Sequence, residues 1–268
     1  MADAAPAHST KYQVPVPSVG TVELTVEERG AGRTFVLLHG GAGPVSWARF
    51  SPLLASRYPA HVLTPTHPGF ARTARPEALK TVRGLAELYA AFLHELGDRD
   101  VVVIGNSVGG WIAAELALLA PPELGGIVLV GAGGIEVPGQ TIPDISKLTL
   151  DQVMALSYHN PQPFRIDPTK MTDDQRAVIA SNRAALTLYA PDSTDPSLKS
   201  RLANVRVPTL VLSGASDRVI PPEFGRAFAS AIPGAEFQLL PDTGHVAQLE
   251  TPALVYEAVA KFAPKPAG

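Results

Sequence analysis

No cysteine occurs among the 268 residues, which excludes disulfides, thiolate metal sites and a cysteine nucleophile together. Charge is sparse, at 18% of residues with a net of −3. Lysine and arginine nowhere form a run, so the footprint of a nucleic-acid binder is missing. Apolar runs are short: those around residues 127–130 fall far below the ~20 residues of a membrane helix. Residues 1–10 contain Asp3 and no basic or apolar leader, so no secretory signal is expected. No metal cluster, dinucleotide fingerprint or phosphate loop is found, and neither a metal nor a cofactor is expected. These absences lead us to expect a cytoplasmic protein that binds neither nucleic acid nor membrane; its expected partner is a small molecule, and it is expected to be a monomer or homodimer.

What is present is core material, with 46% hydrophobic residues. Residues 1–13 are rich in Ala, Pro and polar side chains and are expected to be flexible. Residues 22–27 alternate apolar and polar, the period of a strand with one wet face. Residues 34–38, 101–104, 127–130 and 210–212 are instead short unbroken apolar runs, as in strands buried on both faces. Further strands are expected at 61–64 and 237–240, and helices at 46–54, 79–96, 111–120 and 252–262. Such alternation implies an α/β fold: a mostly parallel sheet, of an eight-stranded type, with helices on both faces. Between residues 133 and 204 the strands stop. Two capping boxes, Thr149 with Gln152 and Thr172 with Gln175, mark helices there. We therefore expect a core of 14–132 and 205–268 and a small helical cap, 133–204, inserted before the strand preceding Asp217.

Gly105-Asn106-Ser107-Val108-Gly109 lies between a buried strand and an apolar helix. A sharp turn there would lift Ser107 above the sheet edge as a nucleophile, and glycines two before and two after relieve the crowding. A serine hydroxyl needs a base. His245, in a loop after the last strand, can reach that edge. The imidazole in turn needs a carboxylate, and Asp217, just past a buried strand, suits better than Asp242 or Glu136. Ser107, Asp217 and His245 are thus the expected catalytic residues. The oxyanion donors should be the backbone N–H groups of Val108 and Gly41.

Leu38-His39-Gly40-Gly41, the elbow at Ser107, Gly214-Ala215-Ser216-Asp217-Arg218-Val219-Ile220-Pro221 and Gly244-His245 together resemble the α/β-hydrolase superfamily, across residues 22–262. Pro68-Gly69-Phe70 also looks like one of the family's loops, with His67 as a departure. The resemblance implies hydrolysis of a carboxylic ester or lactone through an acyl-enzyme on Ser107. Asn-Ser-x-Gly-Gly with Trp47 also resembles the meta-cleavage-product C–C hydrolases, whose cap arginine would correspond to Arg176 or Arg183. A receptor or carrier on this fold is a third alternative. The expected substrate contacts are Trp47, Trp111, Met154, Tyr158, Arg183, Leu186 and Tyr189.

Overall fold

The computed structural model describes residues 6–263. Eight strands form one sheet: β1 (His8–Val16), β2 (Gly20–Gly30), β3 (Arg33–Leu38), β4 (Ala60–Pro65), β5 (Val101–Asn106), β6 (Leu124–Val130), β7 (Thr209–Gly214) and β8 (Glu236–Leu240). Their order is β1-β2-β4-β3-β5-β6-β7-β8. β2 is antiparallel to β1 and β4, and every pair from β4 to β8 is parallel. The carboxyl ends of β3, β5, β7 and β8 therefore meet along one edge, where open α/β sheets build sites.

The helices are α1 (Phe50–Arg57), α2 (Val82–Leu96), α3 (Val108–Leu119), α4 (Leu150–Ser157), α5 (Asp173–Tyr189), α6 (Leu198–Arg201), α7 (Pro222–Ala231), α8 (Ala247–Glu250) and α9 (Pro252–Phe262). Side chains alternate across each strand. Val36 and Leu38 of β3 join the apolar layer of α2, α3 and α7, while Phe35 and Leu37 join that of α1 and α9. Both faces of the sheet are covered, which is why the central strands read as unbroken apolar runs. Among the described residues no helix is long and apolar enough to cross a membrane.

Two expectations need correction. Residues 8–13, expected to be flexible, pair with β2 from His8↔Glu28 onward. Only alternate residues turn inward and Val14 is fully buried, so the strand carries too few apolar residues to stand out. The helix expected at 46–54 divides into a 3-10 turn, Pro44–Trp47, and α1. Pro52 is accommodated in the first turn of α1, where its missing N–H is not needed. Helix α7 follows Asp217 without having been anticipated. Residues 1–5 and 264–268 of the outlined segments lie outside the described residues.

Between β6 and β7 the chain leaves the sheet and forms α4, α5 and α6. Both anticipated capping boxes are present. Thr149 accepts from the Gln152 N–H while Gln152 accepts from Thr149 N–H, and Thr172 and Gln175 repeat the pattern.

Candidate active site

Ser107 stands between β5 and α3 with φ 58° and ψ −121°, a conformation L-residues avoid. The glycines beside it explain how the turn is tolerated. A Cβ at Gly105 would lie 2.1 Å from Gly109 O, and one at Gly109 2.2 Å from Leu38 O. Strand and helix approach so closely that no larger residue fits at either position.

His245 and Asp217 meet at the same edge. His245 Nδ1 donates to Asp217 Oδ2 at 2.8 Å. The other carboxylate oxygen accepts from the N–H groups of Val219 and Ile220, at 2.9 and 2.8 Å, so the carboxylate is held in one orientation. The alternatives considered for this role lie elsewhere: Glu136 is exposed, and Asp242, exposed with φ 48°, shapes a turn. Asn106 links elbow and histidine loop, since Nδ2 donates to the carbonyls of Val130 (3.1 Å) and His245 (3.0 Å). Among the described residues the Ser107 hydroxyl makes no hydrogen bond, leaving it free to turn toward substrate or imidazole.

Several groups that motif reading passed over shape this arrangement. Gly131, φ 50°, lies against the pair, and a Cβ there would stand 3.1 Å from Asp217 Oδ2 and 3.2 Å from His245 Nδ1. Glu250 accepts from the N–H groups of Gly244, Asn160 and His159 at 2.7, 2.9 and 3.1 Å, and His245 N–H donates to Ser157 O at 2.7 Å. The histidine loop is thus pinned partly from the end of α4. Only tertiary structure joins residues so distant in sequence.

His39 and His67 occupy the space behind the Gly40–Gly41 turn. The His39 ring donates from Nδ1 to Gly40 O (2.8 Å) and accepts at Nε2 from the His67 N–H (3.0 Å). His67 donates from Nε2 to His39 O (2.9 Å) and accepts at Nδ1 from the Tyr89 hydroxyl (2.5 Å). Burial without a counter-charge disfavours both imidazolium forms. It pushes His67 down to about 4 and, with His67 beside it, His39 well below the usual histidine range. Both rings are neutral hydrogen-bonding struts.

A cavity of about 50 Å³ opens at Ser107, lined by Val108, Trp111, Ile142, Ile145, Leu186 and Ile220 among others. Among the described residues no Lys, Arg or His side chain lines it. Of the expected substrate contacts, Trp111 and Leu186 are at this cavity. Trp47 is fully buried against Phe50 on the opposite apolar layer. Tyr158 stacks on Phe164 with ring centroids 4.3 Å apart. Arg183 donates to Leu148 O, and the buried Tyr189 hydroxyl to Pro68 O; Met154, on α4, is also absent from the lining. A larger hollow of about 590 Å³ lies next door and shares Ile142 as a wall, but includes none of Ser107, Asp217 and His245.

Comparison with known proteins agrees with this architecture. Residues 35–258 match the model of the "Alpha/beta hydrolase family". A 2-hydroxy-6-oxononadienedioate/2-hydroxy-6-oxononatrienedioate hydrolase of Cupriavidus pinatubonensis is 29% identical over 248 residues, covering 83% of this chain and 84% of that protein. A serine hydrolase involved in carbazole degradation superposes with a TM-score of 0.74 at 25% identity, covering 95% and 98% of the two chains. A thermophilic esterase from Thermogutta terrifontis gives a TM-score of 0.74 at 23% identity, over 95% and 97%, a likeness of fold.

Proposed function

The chain belongs to the alpha/beta hydrolase family, and on that premise we propose that it cleaves a carboxylic ester or lactone with a small, uncharged acyl group. Ser107 attacks the carbonyl carbon as its proton passes to His245 Nε2. The imidazolium that forms keeps its Nδ1–H on Asp217, whose charge stabilises it. The negative oxygen of the tetrahedral intermediate is held by the N–H groups of Val108 and Gly41. Collapse expels the alcohol with the proton from His245 and leaves the acyl group on Ser107. Water, deprotonated by the same histidine, then releases the acid. Residues 133–204 act as the cap that closes the acyl side of the cavity.

The observation that carries this reading is the 2.8 Å His245–Asp217 bond at the same sheet edge as the elbow serine. The acyl preference rests on the apolar lining. A substrate carboxylate placed there would lose its hydration without a cation to receive it. The two cap arginines that the resemblance singles out are engaged elsewhere: Arg176 donates to the carbonyls of Pro168 (2.7 Å) and Met171 (2.5 Å), and Arg183 to Leu148 O.

A second reading, hydrolysis of a carbon–carbon bond next to a carbonyl, is favoured by the likeness to the Cupriavidus hydrolase. It would use the same serine. The test compares wild type with Ser107→Ala on p-nitrophenyl acetate and on a ring-fission dienone acid. Serine-dependent release of p-nitrophenol with an inert dienone acid is the expected result. Rapid serine-dependent decay of the dienone acid, with feeble ester cleavage, would replace the first reading by the second.

A further inference from the structure

Asn182 is a buried polar residue on α5 whose carboxamide spans two loops of the core. Oδ1 accepts from Ala71 N–H at 2.7 Å, and Nδ2 donates to Ala42 O at 3.2 Å. Each contact reaches something unusual. Ala71 and Arg72 have φ of 47° and 64°, conformations that persist only where the surroundings enforce them. The enforcing groups sit on α5: Asn182, Ser181 Oγ accepting from Arg72 N–H at 3.0 Å, and Asp174 paired with Arg72 at 2.5 Å.

The Ala42 contact leads toward the reacting centre. The carbonyl of Ala42 and the N–H of Gly43 belong to one planar peptide. That N–H donates to Gly40 O at 3.1 Å. Gly40 O in turn shares a peptide plane with the N–H of Gly41. An unbroken path of two hydrogen bonds and two rigid peptides therefore runs from Asn182 Nδ2 to the Gly41 N–H. The side chain sits tightly on this path, since a Cβ at Gly43 would be 2.8 Å from Asn182 Nδ2.

We infer that Asn182 is a positioning residue: it aims the Gly41 N–H at the oxyanion through this peptide relay and at the same time registers α5 on the core. The inference rests on the proposed role of Gly41. Asn182 does not touch the reacting atoms. Its effect is transmitted by the orientation of the 40–41 and 42–43 peptides, and by their mutual polarisation along the chain of hydrogen bonds.

Two substitutions separate relay from docking. Asn182→Asp keeps the acceptor for Ala71 but, when ionised, cannot donate to Ala42 O. Ser181→Ala removes a neighbouring α5 contact and leaves the relay intact. With p-nitrophenyl acetate we expect Asn182→Asp to lower kcat by about 10- to 100-fold with KM within about threefold, as for a weakened oxyanion donor. Ser181→Ala should stay within about twofold of wild type in both. Amide exchange supplies a readout independent of turnover: Asn182→Asp should speed exchange at Gly43 while Ala71 remains protected. Unchanged kcat and unchanged exchange at Gly43, or equal losses of kcat in both variants, would overturn the relay. Labelling of Ser107 by a fluorophosphonate is run alongside. If the wild type is not labelled, the nucleophile reading fails, and the exchange pattern at Gly43 alone decides whether Asn182 holds this turn.

Discussion

His67 is completely buried, with its ring centroid 3.8 Å from that of His39, and both of its ring nitrogens are used when it is neutral. Such a residue makes stability depend on pH in a fixed direction. In the unfolded chain the ring titrates near its ordinary value of about 6.5, and in the folded chain at about 4. Between those values the unfolded state binds the extra proton, so the contribution is full above pH 6.5 and is lost as pH falls toward 4. The difference amounts to about 3 kcal/mol, and the depressed His39 adds in the same sense. Urea unfolding at pH 7.5 and 5.0 should therefore show a marked acid loss. His67→Gln, which can still donate to His39 O, should show a smaller one. Equal acid sensitivity in the two proteins would mean that His67 is not the titrating strut. Catalysis at this scale makes its own demand on Asp217. Asp217→Asn removes the acceptor for His245 Nδ1–H, and kcat should fall on the order of 10⁴-fold with little change in the folded state by circular dichroism.

Elements differ in how openly the sequence declares them. The strands β3, β5, β6 and β7 were legible because burial on both faces leaves uninterrupted apolar runs. The α4 and α5 starts were legible because a capping box is a local contact with a local signature. The same local logic found Ser107, Asp217 and His245 as candidates that the fold brings to one edge. What could not be read was which face of each cap helix meets the cavity. Leu186 and Tyr189 are three residues apart on α5, yet Leu186 lines the cavity and Tyr189 reaches Pro68 O. Asn182 and Gly131 were equally hidden, since each acts on a loop far away in the chain, and so was Glu250, which ties the neighbouring histidine loop to the distant residues 159–160. Helix α5 yields a specificity prediction from this geometry. A Cβ on Gly41 would be 2.9 Å from Leu186 Cδ2, so Leu186 roofs the space over the proposed oxyanion donor. Leu186→Ala should raise kcat/KM for p-nitrophenyl butyrate over acetate by about tenfold, the scale of a methylene or two in an apolar pocket. An unchanged ratio would place the acyl chain on another wall.

At the scale of the whole molecule, an excursion from the sheet must be tied down where it returns as well as where it covers the site. Arg201, just before the chain re-enters at β7, provides that tie. Its guanidinium donates to both carboxylate oxygens of Glu115 at 2.8 and 2.6 Å and to Asp195 at 2.7 Å. Glu115 lies on α3, the helix that begins at Ser107, and its side chain is only 3% exposed. Among the described residues its one other cation, Arg83, stands at 3.8 Å. A buried ion pair of this kind is weak evidence for net stability, because desolvation offsets much of the attraction. Breaking one side is a different matter, since the remaining charge stays buried. Arg201→Met should lower unfolding free energy by about 3 kcal/mol, whereas Arg201→Met with Glu115→Leu should recover most of that loss. Denaturant unfolding of the two variants beside wild type measures both quantities. If the single change costs less than about 1 kcal/mol, Glu115 finds water or Arg83 instead, and the excursion is secured to the core mainly by α5. If the double variant is as unstable as the single one, the loss lies in the packing of the Arg201 stem rather than in the stranded carboxylate.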